Sequence, residues 1–186
     1  MTTYYSCSSG TTNSSADIWG GSVPYLISVE SKYDYLSPDY SRTVTLDRTQ
    51  MIALLNATYD DDGTEPINFS TDPANWVNVG SILSSGSVDR MKIVITRKDG
   101  RVLTYTPKGY YFTSVIAPKA GISLRSPAFT MTYNTAVQTW TFAIRGYGHG
   151  VGMSQWGAYY YAAKDGMNYS QILAHYFPGT SLKPLS

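Results

Sequence analysis

The chain has 186 residues, of which 42% are apolar and 15% charged, and its formal net charge is +1. That content can bury one core and offset the ordering entropy, which excludes a disordered chain, while the near-neutral balance excludes a charge-driven nucleic-acid binder. No apolar run approaches the ~18 residues of a membrane span, and Met1 is followed at once by polar residues, so any export signal is expected outside this chain.

Residues 1–28 are rich in Ser, Thr, Gly and Asn around two aromatic islands, Tyr4-Tyr5 and Ile18-Trp19 to Tyr25-Leu26. They read as a strand, a polar loop and an extended segment after Pro24. Residues 31–45 read as irregular, polar and Tyr-rich. Asp47 followed by Gln50 resembles a capping box, and Met51, Ile52, Leu54 and Leu55 give the apolar face of a short helix near residues 47–56. Asp60-Asp61-Asp62-Gly63 and Asp72-Pro73 are turn signals in a surface loop over 58–75.

From 77 to 145 the period becomes two. Met91, Ile93 and Ile95 alternate with polar neighbours, and Asp99-Gly100 precedes Val102 to Tyr105 as a hairpin turn. Phe129, Met131 and Tyr133, then Trp140, Phe142 and Ile144, predict a second hairpin with an aromatic face. Beyond Gly146 the pattern returns to helix: one over 154–165 ended by Gly166, and one over 170–176 capped by Ser170 and stopped by Pro178-Gly179. The expected fold is therefore α+β, a sheet-rich core of antiparallel hairpins with short helices near residues 47–56, 154–165 and 170–176, in a single domain over 1–186.

The segment from Gly146 to Ala158 carries most of the chemical signal, with four glycines in residues 146–152. Such glycines permit positive φ and close backbone approach, and a Gly-rich turn into a helix presents unpaired N–H groups. His149 in the turn, with Ser154 and Gln155 at the helix start, can face one site. The same residues also describe a tight strand-to-helix corner with a structural histidine, and the residues alone leave both open.

Gly148-His149-Gly150-Val151-Gly152-Met153-Ser154-Gln155-Trp156-Gly157-Ala158 resembles the signature of the SpoIID/LytB family. Its continuation matches too, through Ala162-Ala163, Gly166, Tyr169, Ile172-Leu173, His175-Tyr176-Phe177 and Pro178-Gly179-Thr180. Upstream, Ser8-Ser9-Gly10-Thr11-Thr12, Ile18-Trp19-Gly20, Pro24-Tyr25-Leu26 and Leu124-Arg125-Ser126 with Phe129 follow in the family's order. The chain thus resembles the C-terminal part of a peptidoglycan lytic transglycosylase or amidase-enhancer domain.

The resemblance implies an α+β fold with a groove for peptidoglycan glycan strands, an extracytoplasmic, cell-envelope or secreted location, and no cofactor. It implies cleavage of the MurNAc–GlcNAc bond with formation of a 1,6-anhydro end. One carboxyl group suffices for that reaction: it protonates the leaving oxygen, then takes the proton of the C6 hydroxyl as that attacks C1. The family's glutamate lies on a helix ahead of the Ser/Gly-rich strand, so that segment is expected to be missing here, supplied separately or by another chain. Glu30 is the candidate within the chain; the other glutamate, Glu65, sits in the turn-rich loop.

For substrate binding the resemblance points to Ser9, Thr12, Tyr25 and Asp34 together with His149, Ser154, Gln155 and Trp156. Cys7, His149 and His175 lack a paired metal-ligand spacing, so no metal site is expected. The alternative within the family is a non-catalytic wall-binding module that modifies a cell-wall amidase.

Overall fold

In chain order, strand β1 (Tyr4–Tyr5) and helix α1 (Ser15–Trp19) precede a 3-10 turn at Asp34–Leu36. Strand β2 (Ser41–Leu46) and helix α2 (Arg48–Thr58) follow, then strands β3 (Val77–Ile82), β4 (Val88–Thr96) and β5 (Val102–Tyr105). A helical segment runs through α3 (Gly109–Tyr111), a π-widened turn (Phe112–Ile116) and α4 (Ala117–Lys119). Strands β6 (Phe129–Asn134), β7 (Thr139–Arg145) and β8 (Met153–Ser154), then helices α5 (Gln155–Asp165) and α6 (Tyr169–Tyr176), complete the order. The computed structural model describes residues 2–58 and 67–183. The expected turn at Asp60–Gly63 and Glu65 lie outside them.

The described residues form the expected α+β fold, and the chain divides into two compact units. One comprises Thr43–Ile82 and Val88–Ile144; the other comprises Met1–Arg42, Leu83–Ser87 and Arg145–Ser186.

The first of these units is built on two three-stranded sheets, in the orders β3–β4–β5 and β2–β7–β6. Their inner faces follow from the alternation. Met91, Ile93 and Ile95 of β4 are buried, while Arg90 and Lys92 face solvent. In the antiparallel β6–β7 hairpin Phe129 opposes Ile144, Met131 opposes Phe142 and Tyr133 opposes Trp140, so the aromatic residues share one side. Trp76 stacks on Trp140 at 5.9 Å with planes 13° apart. Helix α2 adds Met51, Leu54 and Leu55 to this core. Its start is the predicted reciprocal cap: Gln50 N–H donates to Asp47 Oδ1 at 2.8 Å, and Asp47 N–H donates to Gln50 Oε1 at 3.1 Å.

Four elements differ from the sequence expectation. Residues 15–19 form α1, capped by Ser14, whose Oγ accepts from Asp17 N–H at 3.1 Å, and closed by Gly20 at φ 82°. Residues 41–46, read as irregular, form β2. Residues 109–119 are helical rather than part of a sheet, because Phe112, Ile116 and Ala117 reach the core only from a helix-like spacing. Helix α6 begins one residue earlier than expected, at Tyr169, with Asn168 as its cap in a full capping box with Gln171. Ser170 instead donates to Asn168 Oδ1 at 2.6 Å.

The second unit is held by the Gly-rich segment lying alongside the N-terminal residues. Strands β1 and β8 pair in parallel, Tyr4 with Met153 and Tyr5 with Ser154. Cys7 and Tyr147 exchange backbone hydrogen bonds of 3.3 and 2.7 Å, and Asn13 N–H donates to the Gly150 carbonyl at 2.6 Å. Thr12 N–H donates to the Val29 carbonyl, and Ser31 N–H to the Gly10 carbonyl, each at 2.8 Å. These contacts bring 4–13, 26–31 and 146–157 to one place.

Candidate functional site

The corner between β8 and α5 rests on a buried polar cluster centred on Asp34. Asp34 is fully buried, and its carboxylate accepts from the Ser8 backbone N–H and, at 2.7 Å, from the Ser154 hydroxyl. Ser154 also caps α5, its Oγ accepting from Gly157 N–H at 2.9 Å. The hydroxyls of Ser31 and Tyr176 share a hydrogen bond of 2.6 Å beside it. Burial pushes the Asp34 carboxyl above its ordinary range, opposed by the hydrogen bonds from Ser154 and Ser8. Burial likewise holds the Tyr176 phenol above its ordinary value.

Helix α5 can reach this cluster only because residue 157 has no side chain. A Cβ at Gly157 would run into the Tyr176 and Ser31 hydroxyls and come within 2.8 Å of Asp34 Oδ1. Gly148 plays the matching part in the preceding turn. Its φ is 114°, and a Cβ there would stand 2.7 Å from that of Tyr5.

His149 sits half-buried above this frame. Its ring lies 5.5 Å from Tyr5, edge-on, and 5.2 Å from Trp19. Val151 N–H donates to Nδ1 at 3.0 Å, which places the proton of the neutral ring on Nε2. Burial lowers its pKa, against a smaller opposing effect of a hydrogen bond to the Tyr4 backbone. Its Nδ1 is occupied by the Val151 N–H, and the ring also hydrogen-bonds the Tyr4 backbone. The His149 carbonyl is held by Asn13, whose Nδ2 donates to it at 2.9 Å while its Oδ1 accepts from Ser85 at 2.6 Å.

The other expected site residues fall into two groups. Thr12, Asp34 and Ser154 are fully buried, and their polar groups serve the frame: Thr12 Oγ1 accepts from Val29 N–H at 2.8 Å. Ser9, Tyr25 and Trp156 are half-buried, and Gln155 and Glu30 are exposed. Tyr25 stands edge-on to Phe177 at 6.5 Å. Ser9 donates to the Ser85 carbonyl at 3.3 Å. The Glu30 carbonyl accepts from His175 Nε2 at 2.7 Å and from the Tyr161 hydroxyl at 3.3 Å, which fixes its backbone and leaves its carboxylate in solvent.

Sequence reasoning did not find Asn13, Ser8, Ser31, Gly157 or Tyr176 as parts of one cluster. The only signal was a glycine inside a helical pattern, which marks a close approach. Among the described residues no group of three or more His, Cys, Asp or Glu side chains is placed to hold a metal ion. Among them, too, no helix is long and apolar enough to cross a membrane.

No family model matches the chain. Two curated proteins of Bacillus subtilis (strain 168) do align with it along nearly its whole length. An amidase enhancer is 32% identical over 213 residues, covering 96% of this chain and 29% of that protein. A stage II sporulation protein D is 31% identical over 179 residues, covering 96% of this chain and 44% of that protein. The chain is a SpoIID/LytB homologue. The stage II sporulation protein D of Bacillus amyloliquefaciens aligns similarly, 29% identical over 187 residues. This SpoIID/LytB homologue spans less than half the length of each of these relatives.

Proposed function

We propose that the chain is a peptidoglycan glycan-strand processing domain of lytic-transglycosylase type, working in the cell envelope. The observation that carries the proposal is the corner at 146–157. A homologue of a sporulation protein and an amidase enhancer devotes a buried hydrogen-bonded network to holding it in place. Rigid support of this kind is what a site needs to hold groups within fractions of an ångström. Beside it stand His149, Trp19 at the surface, and Gln155 and Trp156 at the helix start. These are hydrogen-bonding and stacking groups suited to the hydroxyl and acetamido groups and the C–H faces of a sugar chain.

Cleavage with 1,6-anhydro formation needs one carboxyl group that first donates and then accepts a proton. Asp34 is unsuited to this, since it is enclosed and both its oxygens are engaged. Glu30 is the candidate among the described residues, and it is open to solvent. That exposure favours the second reading, a glycan-binding module that modifies an amidase, because a general acid near neutral pH is normally enclosed to raise its pKa.

The test is digestion of stem-peptide-free glycan strands, read by mass spectrometry for 1,6-anhydro ends, with Glu30→Gln alongside. Anhydro products lost in the variant support the transglycosylase reading with Glu30 as acid/base. Strands retained but uncut favour the amidase modifier. A chain that neither cuts nor retains strands contradicts both.

A further inference from the structure

Helix α5 carries an aromatic face that the fold does not use as core. Trp156, Tyr159 and Tyr160 lie at i, i+3 and i+4 and therefore share one side of the helix. Tyr159 is 60% exposed, and Trp156 and Tyr160 are half-buried. Trp156 and Tyr159 meet edge-to-face at 5.9 Å with planes 83° apart, and Tyr160 stacks beside Trp156 at 5.9 Å and 25°. Two aromatic planes at a right angle make a floor and a wall. An open recess of about 520 Å³ lies against them, lined by Gln155, Trp156 and Tyr159, which is small-molecule size.

We propose that the recess formed by Gln155, Trp156 and Tyr159 is a saccharide subsite that seats one pyranose ring against the aromatic corner. The inference rests on the glycan-strand reading above and assigns it a place. Three features of the recess select a sugar. Among the described residues its lining carries no charged side chain, so these residues offer no ion pair to an anionic or cationic ligand. A pyranose presents an apolar C–H face to an aromatic plane and a polar rim around it, which matches a floor and wall of rings. Gln155, exposed at the mouth, can both donate and accept through its amide, as a hydroxyl or acetamido group requires.

The corner is also preorganised. The Trp156 backbone N–H donates to the Ser6 carbonyl at 3.1 Å, and the Tyr160 hydroxyl donates to the Leu36 carbonyl at 3.3 Å. At the far end of α5, Asp165 accepts from Lys32 at 2.8 Å and from the Tyr33 hydroxyl at 2.6 Å. Little ordering cost therefore remains to be met when a ligand arrives.

The experiment titrates a β-1,4-linked N-acetylglucosamine tetramer into the full chain with nitrogen-15-labelled tryptophan. The four indole N–H signals are separated by Trp156→Phe. The expected result is a saturable shift of the Trp156 signal. Trp156→Ala and Tyr159→Ala should each weaken binding about tenfold, and Tyr159→Ala should do so with little change in melting temperature, because that side chain is exposed. Calorimetric binding with the Trp156 signal unmoved and both variants at full affinity would place the sugar elsewhere and sink the inference alone. Failure of the parent chain to bind the tetramer or stem-peptide-free strands would sink the glycan-strand reading with it. A Trp156 signal that ignores the tetramer and moves only with a purified wall amidase would make this a protein-facing surface and overturn the subsite.

Discussion

Gly157→Ala is the sharpest test of how the site is supported. Alanine in a helix gains at most about 1 kcal/mol over glycine, and Gly157 stands in the first turn of α5. Here the added methyl meets the Tyr176 and Ser31 hydroxyls and comes within 2.8 Å of Asp34 Oδ1. Overpacking of a close site costs roughly 1–3 kcal/mol, and parting the buried Ser31–Tyr176 pair costs roughly 1–3 kcal/mol more. After the propensity gain, the net loss should be about 3 kcal/mol. For a chain of this length each kcal/mol moves the midpoint by about 2–4 °C, so Tm should fall by roughly 6–12 °C. Thermal unfolding followed by circular dichroism reads this directly. Ala162→Gly, exposed on the same helix, serves as the control and should lose only about 1 kcal/mol. Pairing Gly157→Ala with Tyr176→Phe and Ser31→Ala should remove much of the added cost, since the obstructing hydroxyls are gone. A Gly157→Ala chain that melts at or above the parent would refute the packing argument.

Two further predictions concern titratable groups. The Asp34 carboxyl titrates higher in the folded chain than its ordinary 3.8 because it is buried. The folded state therefore keeps a proton that the unfolded state has released. The resulting stability is full below the unfolded value and is lost as pH rises through the folded one. The stability of the parent minus that of Asp34→Asn, from urea unfolding at pH 4 to 6, should shrink as pH rises; a difference that grows would reverse the assigned cause. Cys7 is buried, and burial pushes its thiol up. A disulfide reagent at pH 7.5 should modify the native chain at least about a hundredfold more slowly than the unfolded chain; equal rates would place the thiol at the surface.

Much of the architecture was legible because it is periodic. The alternations at 91–95, 129–133 and 140–144 became strands whose inward residues are the predicted ones. Asp47 and Gln50 formed their reciprocal cap, and Gly166 closes α5 in the left-handed conformation at φ 65°. Elements without a period were not legible. Helix α1 has only five residues. The 109–119 segment carries Tyr, Phe, Thr, Val and Ile, which favour strands in isolation, and becomes helical because that geometry buries Phe112 and Ile116. The candidate site was legible as a segment, since the Gly-rich run before α5 stands out, but the division of labour within it was not.

The sequence by itself determined the α+β class, the hairpins, the start of α2, the end of α5 and the kinship with sporulation and amidase-enhancer proteins, because all of these depend on residues near one another or on matched order. Only the tertiary structure decided which polar residues face a ligand and which hold the frame. The resemblance points to Asp34 for substrate binding, yet its carboxylate is buried and its partners lie 26 and 120 positions away at Ser8 and Ser154. Burial of a polar group is settled by whether distant chain segments supply its hydrogen bonds, and no local pattern encodes that supply.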